Sequence, residues 1–343
     1  ARVRSAVRDR TRPAGLSRSR RQPADRRRNV AARRGNPVLT GDPMAKIGLR
    51  VEVSTVRALE QGVPRLVELL KTHGCGATFL FALGAENSGR IAARLLAHRI
   101  EGRVRPLRAI RRYGLRTLLS GTLLGGPALA ARHAAAMRLA RDEGFETGVL
   151  ADDHVAWRKR GALRDTAFTR AQMESARSKY DAVFGTPPRG HGAAGWQVNL
   201  DSLRFTQRLG YDYASDTRGS GPFLPVWRAE IVACPQLPVT LPTLEELNAE
   251  MPLDDAVEHL LGLTAAIEQP PVYGARADLE GVAFAGAFEA LISRWRGQGH
   301  EPVSMLDYAQ SLPDRELPRC VIDYREIARG FGPVAVQGAE FLA

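Results

Sequence analysis

Hydrophobic positions along this chain follow two alternating rhythms. Short apolar runs, several with β-branched or aromatic members, occur at KIGLRVEV (46–53), ATFLFALG (77–84), FETGVLA (145–151), GYDYASDT (210–217), IVACPQLPVT (231–240) and PVYGARA (271–277). Between them lie longer stretches in which apolar residues recur every three or four positions: VPRLVELLKTHG (63–74), AENSGRIAARLL (85–96), PALAARHAAAMRLARDEG (127–144), RAQMESARSKYDAVFG (170–185), LDDAVEHLLGLTAAIEQ (253–269) and AFAGAFEALISRWRGQG (283–299). The first rhythm predicts buried strands and the second predicts helices, with Gly74 and Gly185 as stop signals. Strands alternating with helices imply an α/β fold with a parallel sheet covered by helices, and this many repeats suit a closed or partly closed (β/α) barrel. In such barrels the chemistry gathers at the C-terminal ends of the strands.

Those ends carry Glu52 and Ser54 after the first strand, then Leu150, Asp152, Asp153 and His154 after the third. Later come His191, the loop with Asp216 and Arg218, and finally Arg276 and Asp278. The set is polar and convergent, but it does not by itself name a reaction.

Composition narrows the picture. At 343 residues, 44% hydrophobic and 25% charged, the chain is long enough for one large α/β domain or two smaller ones. No apolar run reaches the roughly 18 residues of a membrane-spanning helix. The formal charge of +12 is unevenly placed: residues 1–43 hold thirteen Arg against Asp9, Asp25 and Asp42, which leaves the rest of the chain nearly neutral. That basic segment lacks aliphatic periodicity and is expected to be disordered. It reads as upstream sequence ahead of a start at Met44, as a basic arm, or as an Arg- and Ser-rich transit peptide. The near-neutral body, 44–315, is expected to form a single barrel that is not a nucleic-acid binder, followed by a C-terminal tail at 316–343. Cys75, Cys234 and Cys320 lie far apart without CxxC spacing, which argues against a thiolate metal site or a disulfide framework. The glycines form no phosphate-binding loop.

Several stretches in the same order carry a resemblance: KIGLRVEVSTVRALEQGVPRLVELL, ATFLFALGAENSGR, GAAGW, SDTRGSGPF, PQLPVTLPTLEEL and PVYGARADLEG. Together they resemble the 4-deoxy-4-formamido-L-arabinose-phosphoundecaprenol deformylases, a branch of the NodB-homology polysaccharide deacetylases, from about Ala45 to about Pro313. The resemblance implies a distorted (β/α) barrel and a hydrolase of C–N amide bonds acting on a lipid-linked aminosugar at the cytoplasmic face of the inner membrane. It also implies a divalent metal, commonly zinc, held by one Asp and two His, with an Asp base and a His acid. A metal of this kind acidifies its bound water and polarises the formyl oxygen, while base and acid move the protons.

Matched residue by residue, the catalytic positions depart from that pattern. The base position is Glu52, the metal-ligand positions are Ser54, Leu150 and His154, and the acid position is Arg276. Leu150 cannot ligate, Ser54 is a poor donor to zinc, and an arginine does not release its proton at ordinary pH. The expectation is a member of this lineage that binds no metal and has lost hydrolysis, a pseudoenzyme retaining affinity for a lipid-linked aminosugar or a partner enzyme. The alternative is an active amide hydrolase rebuilt around Glu52, Asp152, Asp153 and His154. Trp196, Asp216 and Arg218 are candidate substrate contacts; Asp216 and Arg218 could equally pair with each other. The segment LRAIRRYGLRTLLSGTLLGGPALA (107–130) interleaves Arg with apolar residues, a pattern suited to a peripheral membrane contact or to covering the barrel.

Overall fold

The computed structural model describes residues 45–90, 106–163, 165–267, 269–312, 316–327 and 332–341. The basic segment 1–43 and most of the helix expected over 85–96 lie outside the described residues. Strand β1 (Ala45–Val53) is the axis of the sheet. It pairs in parallel with β2 (Thr78–Ala82) and β8 (Val272–Arg276), and the ladder continues outward from β2 through β3 (Glu146–Ala151), β4 (Gly190–His191) and β5 (Tyr213–Ala214). Strand β9 (His300–Val303) pairs with the first half of β1, and its Pro302 carbonyl accepts from the Gly76 amide. Every residue of β2 is buried, as expected of a strand with helices and a barrel interior on its two faces.

Six short runs were legible as strands, but one of them behaves differently. The stretch 231–240 forms only the end of β7 (Glu230–Ile231), because Pro235 and Pro238 remove the amides a continuous ladder needs. It still does structural work as an extended lace. Leu237 N donates to the Ala214 carbonyl, Val239 N to Thr217 and Thr240 N to Val272, so the segment ties β5 to β8 and partly closes the barrel.

The residues expected to form a C-terminal tail are instead ordered as a hairpin. β10 (Arg319–Glu326) and β11 (Pro333–Glu340) pair antiparallel, and β10 also pairs in parallel with β6 (Leu224–Trp227), giving a second sheet of order β11-β10-β6-β7. The hairpin is held to the barrel where Arg218 N donates to Ala335 O and Gln337 N donates to Arg218 O.

Helices cover the sheet with the expected faces. Val63–Thr72 buries Leu66, Val67, Leu69 and Leu70, each apolar side chain contributing about 1.5–3 kcal/mol. Thr166–Phe184 is capped by Asp165, which accepts from Phe168 N at 2.9 Å, and it ends at Gly185 with φ 73°. Beyond β1 and β8 the chain makes two wide π turns, Ala58–Gly62 and Leu279–Ala283. They meet backbone to backbone: a Cβ on Gly62 would lie 2.0 Å from the Ala277 carbonyl oxygen, so only glycine fits there.

Candidate functional site

The site begins on β1, where alternate residues point into the barrel. Arg50 is fully buried and donates to the Glu52 carboxylate at 2.6 Å, to the Ser215 hydroxyl at 3.2 Å and to the Ser215 carbonyl. The Glu52 carboxylate is thereby ion-paired with a buried guanidinium. Across the ladder its register partner on β8 is Arg276.

Arg276 is fixed from three directions. Its guanidinium donates to Glu245 and to Asp278, each at 2.9 Å, and its amide donates to Glu280 at 2.8 Å. Burial opposes the Arg276 charge, but Asp278 and Glu245 more than offset it and hold the group protonated. Burial likewise works to raise the Glu245 carboxyl, and Arg276 with the Tyr113 hydroxyl, 2.7 Å away, brings it below its ordinary value. Glu280 lacks a full ion pair: it accepts from Tyr273 Oη at 3.1 Å, and burial pushes its carboxyl up to about 7.

The loop after β3 does not gather ligands. Leu150 is buried in the core. Asp152 binds Lys179 Nζ at 2.5 Å. Asp153 is the N-cap of the helix His154–Arg160: one oxygen accepts from Val155 N and Ala156 N, and the other accepts from Asn87 Nδ2 at 2.7 Å. His154 is buried with Nε2 3.2 Å from Ser88 Oγ, and Nδ1 has no partner. Burial, then the charge of Arg158, lowers its pKa to about 3, so the ring is neutral.

The candidate substrate contacts are paired differently from the sequence expectation. Asp216 is buried against His191, with Oδ1 2.8 Å from Nδ1. Arg218 instead binds Glu246 at 2.7 Å and lies over the Trp196 ring, 4.9 Å from its centroid. Both charges are thus engaged within the fold. Trp196 faces the open space: with Glu52, Arg158, Glu245, Arg276 and Glu280 it lines a solvent-open cleft above the sheet.

These residues do not fit the metal that the resemblance implies. The five positions supply a carboxylate already paired with Arg50, a hydroxyl, an alkyl chain, one imidazole and a fixed cation. Among the described residues no group of three or more His, Cys, Asp or Glu side chains is arranged to hold a metal ion. The charges of Arg158 and Arg276 also bear on His154, the one ligand type retained, and would oppose a divalent cation there.

Sequence reasoning missed Arg50, Arg158, Glu245 and Glu280. Arg50 stood inside an apolar strand, where period-two alternation with Glu52 was the available signal. Glu245 lies in PTLEEL, whose Thr243 and Glu246 form a reciprocal capping box that announced a helix start but not an ion pair with β8.

No family model matches the chain. It is 32% identical over 292 residues to a 4-deoxy-4-formamido-L-arabinose-phosphoundecaprenol deformylase, ArnD, of Shewanella sediminis, which covers 82% of this chain and 93% of the relative. It is 26% identical over 234 residues to the ArnD deformylase of Wigglesworthia glossinidia brevipalpis, covering 68% of this chain and 82% of the relative. In fold it is similar to a polysaccharide deacetylase from Mycobacterium smegmatis, with a TM-score of 0.55 at 17% identity over 83% of this chain and 98% of the other. A second, from Pseudomonas aeruginosa PAO1, gives a TM-score of 0.52 at 15% identity over 78% of this chain and 91% of the other. With its partly closed barrel and its extended likeness to these relatives, the chain belongs to the 4-deoxy-4-formamido-L-arabinose-phosphoundecaprenol deformylase family of polysaccharide deacetylase-fold proteins.

Proposed function

We propose that this chain keeps the ligand cleft of its family but not metal-dependent hydrolysis, and that it binds a lipid-linked aminosugar or a partner enzyme without cleaving a formamide. The observation that carries this reading is Arg276. A fixed cation clamped by Glu245 and Asp278 occupies the position where the resemblance implies a general acid. It does not release its proton to a leaving amine at ordinary pH, and its field disfavours a metal nearby. Leu150 and Ser54 remove two further donors.

The alternative of a rebuilt hydrolase on Glu52, Asp152, Asp153 and His154 finds little support. Asp152 is engaged by Lys179, Asp153 by a helix N-terminus and Asn87, and Glu52 by Arg50. A lipid-linked ligand is favoured by the segment 107–130, whose Tyr113 hydroxyl donates to Glu245 of the cleft. Ile110, Leu115, Leu123 and Leu124 are exposed there, close in sequence to Arg111 and Arg116. This mixture suits contact with an anionic bilayer from one side.

The test is turnover of a formamidoarabinose phospholipid by the purified protein after zinc loading. No deformylation above the uncatalysed rate is expected. Chelator-sensitive turnover would overturn the proposal.

A further inference from the structure

Two guanidiniums, those of Arg158 and Arg276, line the cleft, and they differ in how they are engaged. Each carboxylate that faces it already has a donor: Glu52 from Arg50, Glu245 from Arg276 and Tyr113, and Glu280 from Tyr273 and the Arg276 amide. Arg276 is shared between Glu245 and Asp278. Arg158, in the last turn of the helix His154–Arg160, lines the same cleft and makes no hydrogen bond or ion pair among the described residues, although the charges of Glu245 and Glu52 attract it through space and that of Arg276 repels it.

A second unmatched donor lies beside it. Trp196 buries its indole N–H without an acceptor, and its backbone is held at φ 51°, a left-handed conformation that a tryptophan adopts only under constraint. The preceding Gly195 has φ 65°, and a Cβ there would stand 2.9 Å from the Arg158 side chain, so the Gly195–Trp196 turn is fitted around Arg158.

We propose that the cleft framed by Arg158, Arg276 and Trp196 is an oxyanion-binding site that takes the phosphate or carboxylate group of a polar ligand. The site has thereby changed sign: where the resemblance implies a cation, this chain recognises an anion. A guanidinium fork matches two oxygens of such a group at once, and Arg276 adds a second positive charge from β8. The inference rests on the proposed reading of this cleft as the ligand site, but not on the loss of hydrolysis.

The test is calorimetric titration of the purified chain with inorganic phosphate and, separately, with formate, in buffer free of other oxyanions. At least one anion is expected to bind with a Kd on the order of 1 mM. That binding is expected to weaken about tenfold in Arg158→Gln. The exposed Arg65→Gln, outside the cleft, is expected to match the parent. Far-UV circular dichroism and melting without anion check that Arg158→Gln is folded. Response to phosphate alone assigns a phosphate ester, and response to formate alone assigns a carboxylate. Binding of neither anion, or binding equally strong in Arg158→Gln, overturns the proposal. The turnover assay reports separately on hydrolysis: Arg158-dependent anion binding in an active hydrolase would leave this inference standing and remove the earlier one.

Discussion

Glu52 of β1 and Arg276 of β8 are direct neighbours across the sheet, yet each charge is turned to a different partner, Glu52 to Arg50 and Arg276 to Glu245 and Asp278. Two ion-paired sets thus stand side by side where the resemblance implies a base and an acid around a metal. Neither set has a free proton-transfer partner.

Replacing Arg276 by Met should destabilise the fold by about 3 kcal/mol or more, because Glu245 and Asp278 would be left as buried, unpaired carboxylates. Urea denaturation at neutral pH measures this. Met keeps much of the apolar volume, so a change under about 1 kcal/mol would show that the pairs contribute little.

Reintroducing donors should create metal affinity. The combined variant Ser54→Asp, Leu150→His and Arg276→His is expected to retain about one equivalent of zinc after dialysis, and the parent chain far less than one, by elemental analysis. Stoichiometric zinc in the parent that is lost on His154→Ala would contradict this account.

Glu280 predicts a pH dependence of stability. Its carboxyl titrates at about 7 in the folded chain because it is buried, whereas an unfolded chain releases that proton near 4.3. Between those values the native state holds the extra proton, so stability falls as pH rises through the interval and the loss is complete above about 7. Glu280→Gln should flatten that slope in chemical denaturation series at pH 5, 6 and 7.

The exposed apolar residues of the segment 107–130 predict membrane contact. Leu123→Glu with Leu124→Glu should reduce co-sedimentation with vesicles containing anionic lipid, each lost insertion costing about 1–3 kcal/mol. Equal sedimentation of variant and parent would assign the segment to another role.

At the meeting of the two π turns, Gly62→Ala should lower the melting temperature by several degrees, since its Cβ cannot be placed without moving the Ala277 carbonyl. Gly286→Ala, with open space around its Cβ, serves as the neutral comparison.

The barrel was legible because its strands are locally apolar and its helices carry period-3.6 faces, as β2 and Val63–Thr72 illustrate. Periodicity failed where backbone chemistry or distant pairing decides. Pro235 and Pro238 turned an apparent strand into a lace, and the hairpin of β10 and β11 depends on β6, about a hundred residues earlier. At the site, Ser54, Leu150 and Arg276 stand at the positions where the resemblance implies other side chains, and their identities are legible in the sequence alone. The pairing of Asp216 with His191, and of Arg218 with Glu246, is not, because nothing in local spacing says which of several nearby charges a folded chain brings together.

The terminal hairpin places a limit on how this protein can be engineered. Because Ala335 and Gln337 bracket Arg218, which in turn braces the ring of Trp196, the hairpin of β10 and β11 acts as a buttress for one wall of the cleft. Trimming the chain before Arg319, or fusing a rigid partner directly after Glu340, would slacken that wall while leaving the central strands intact.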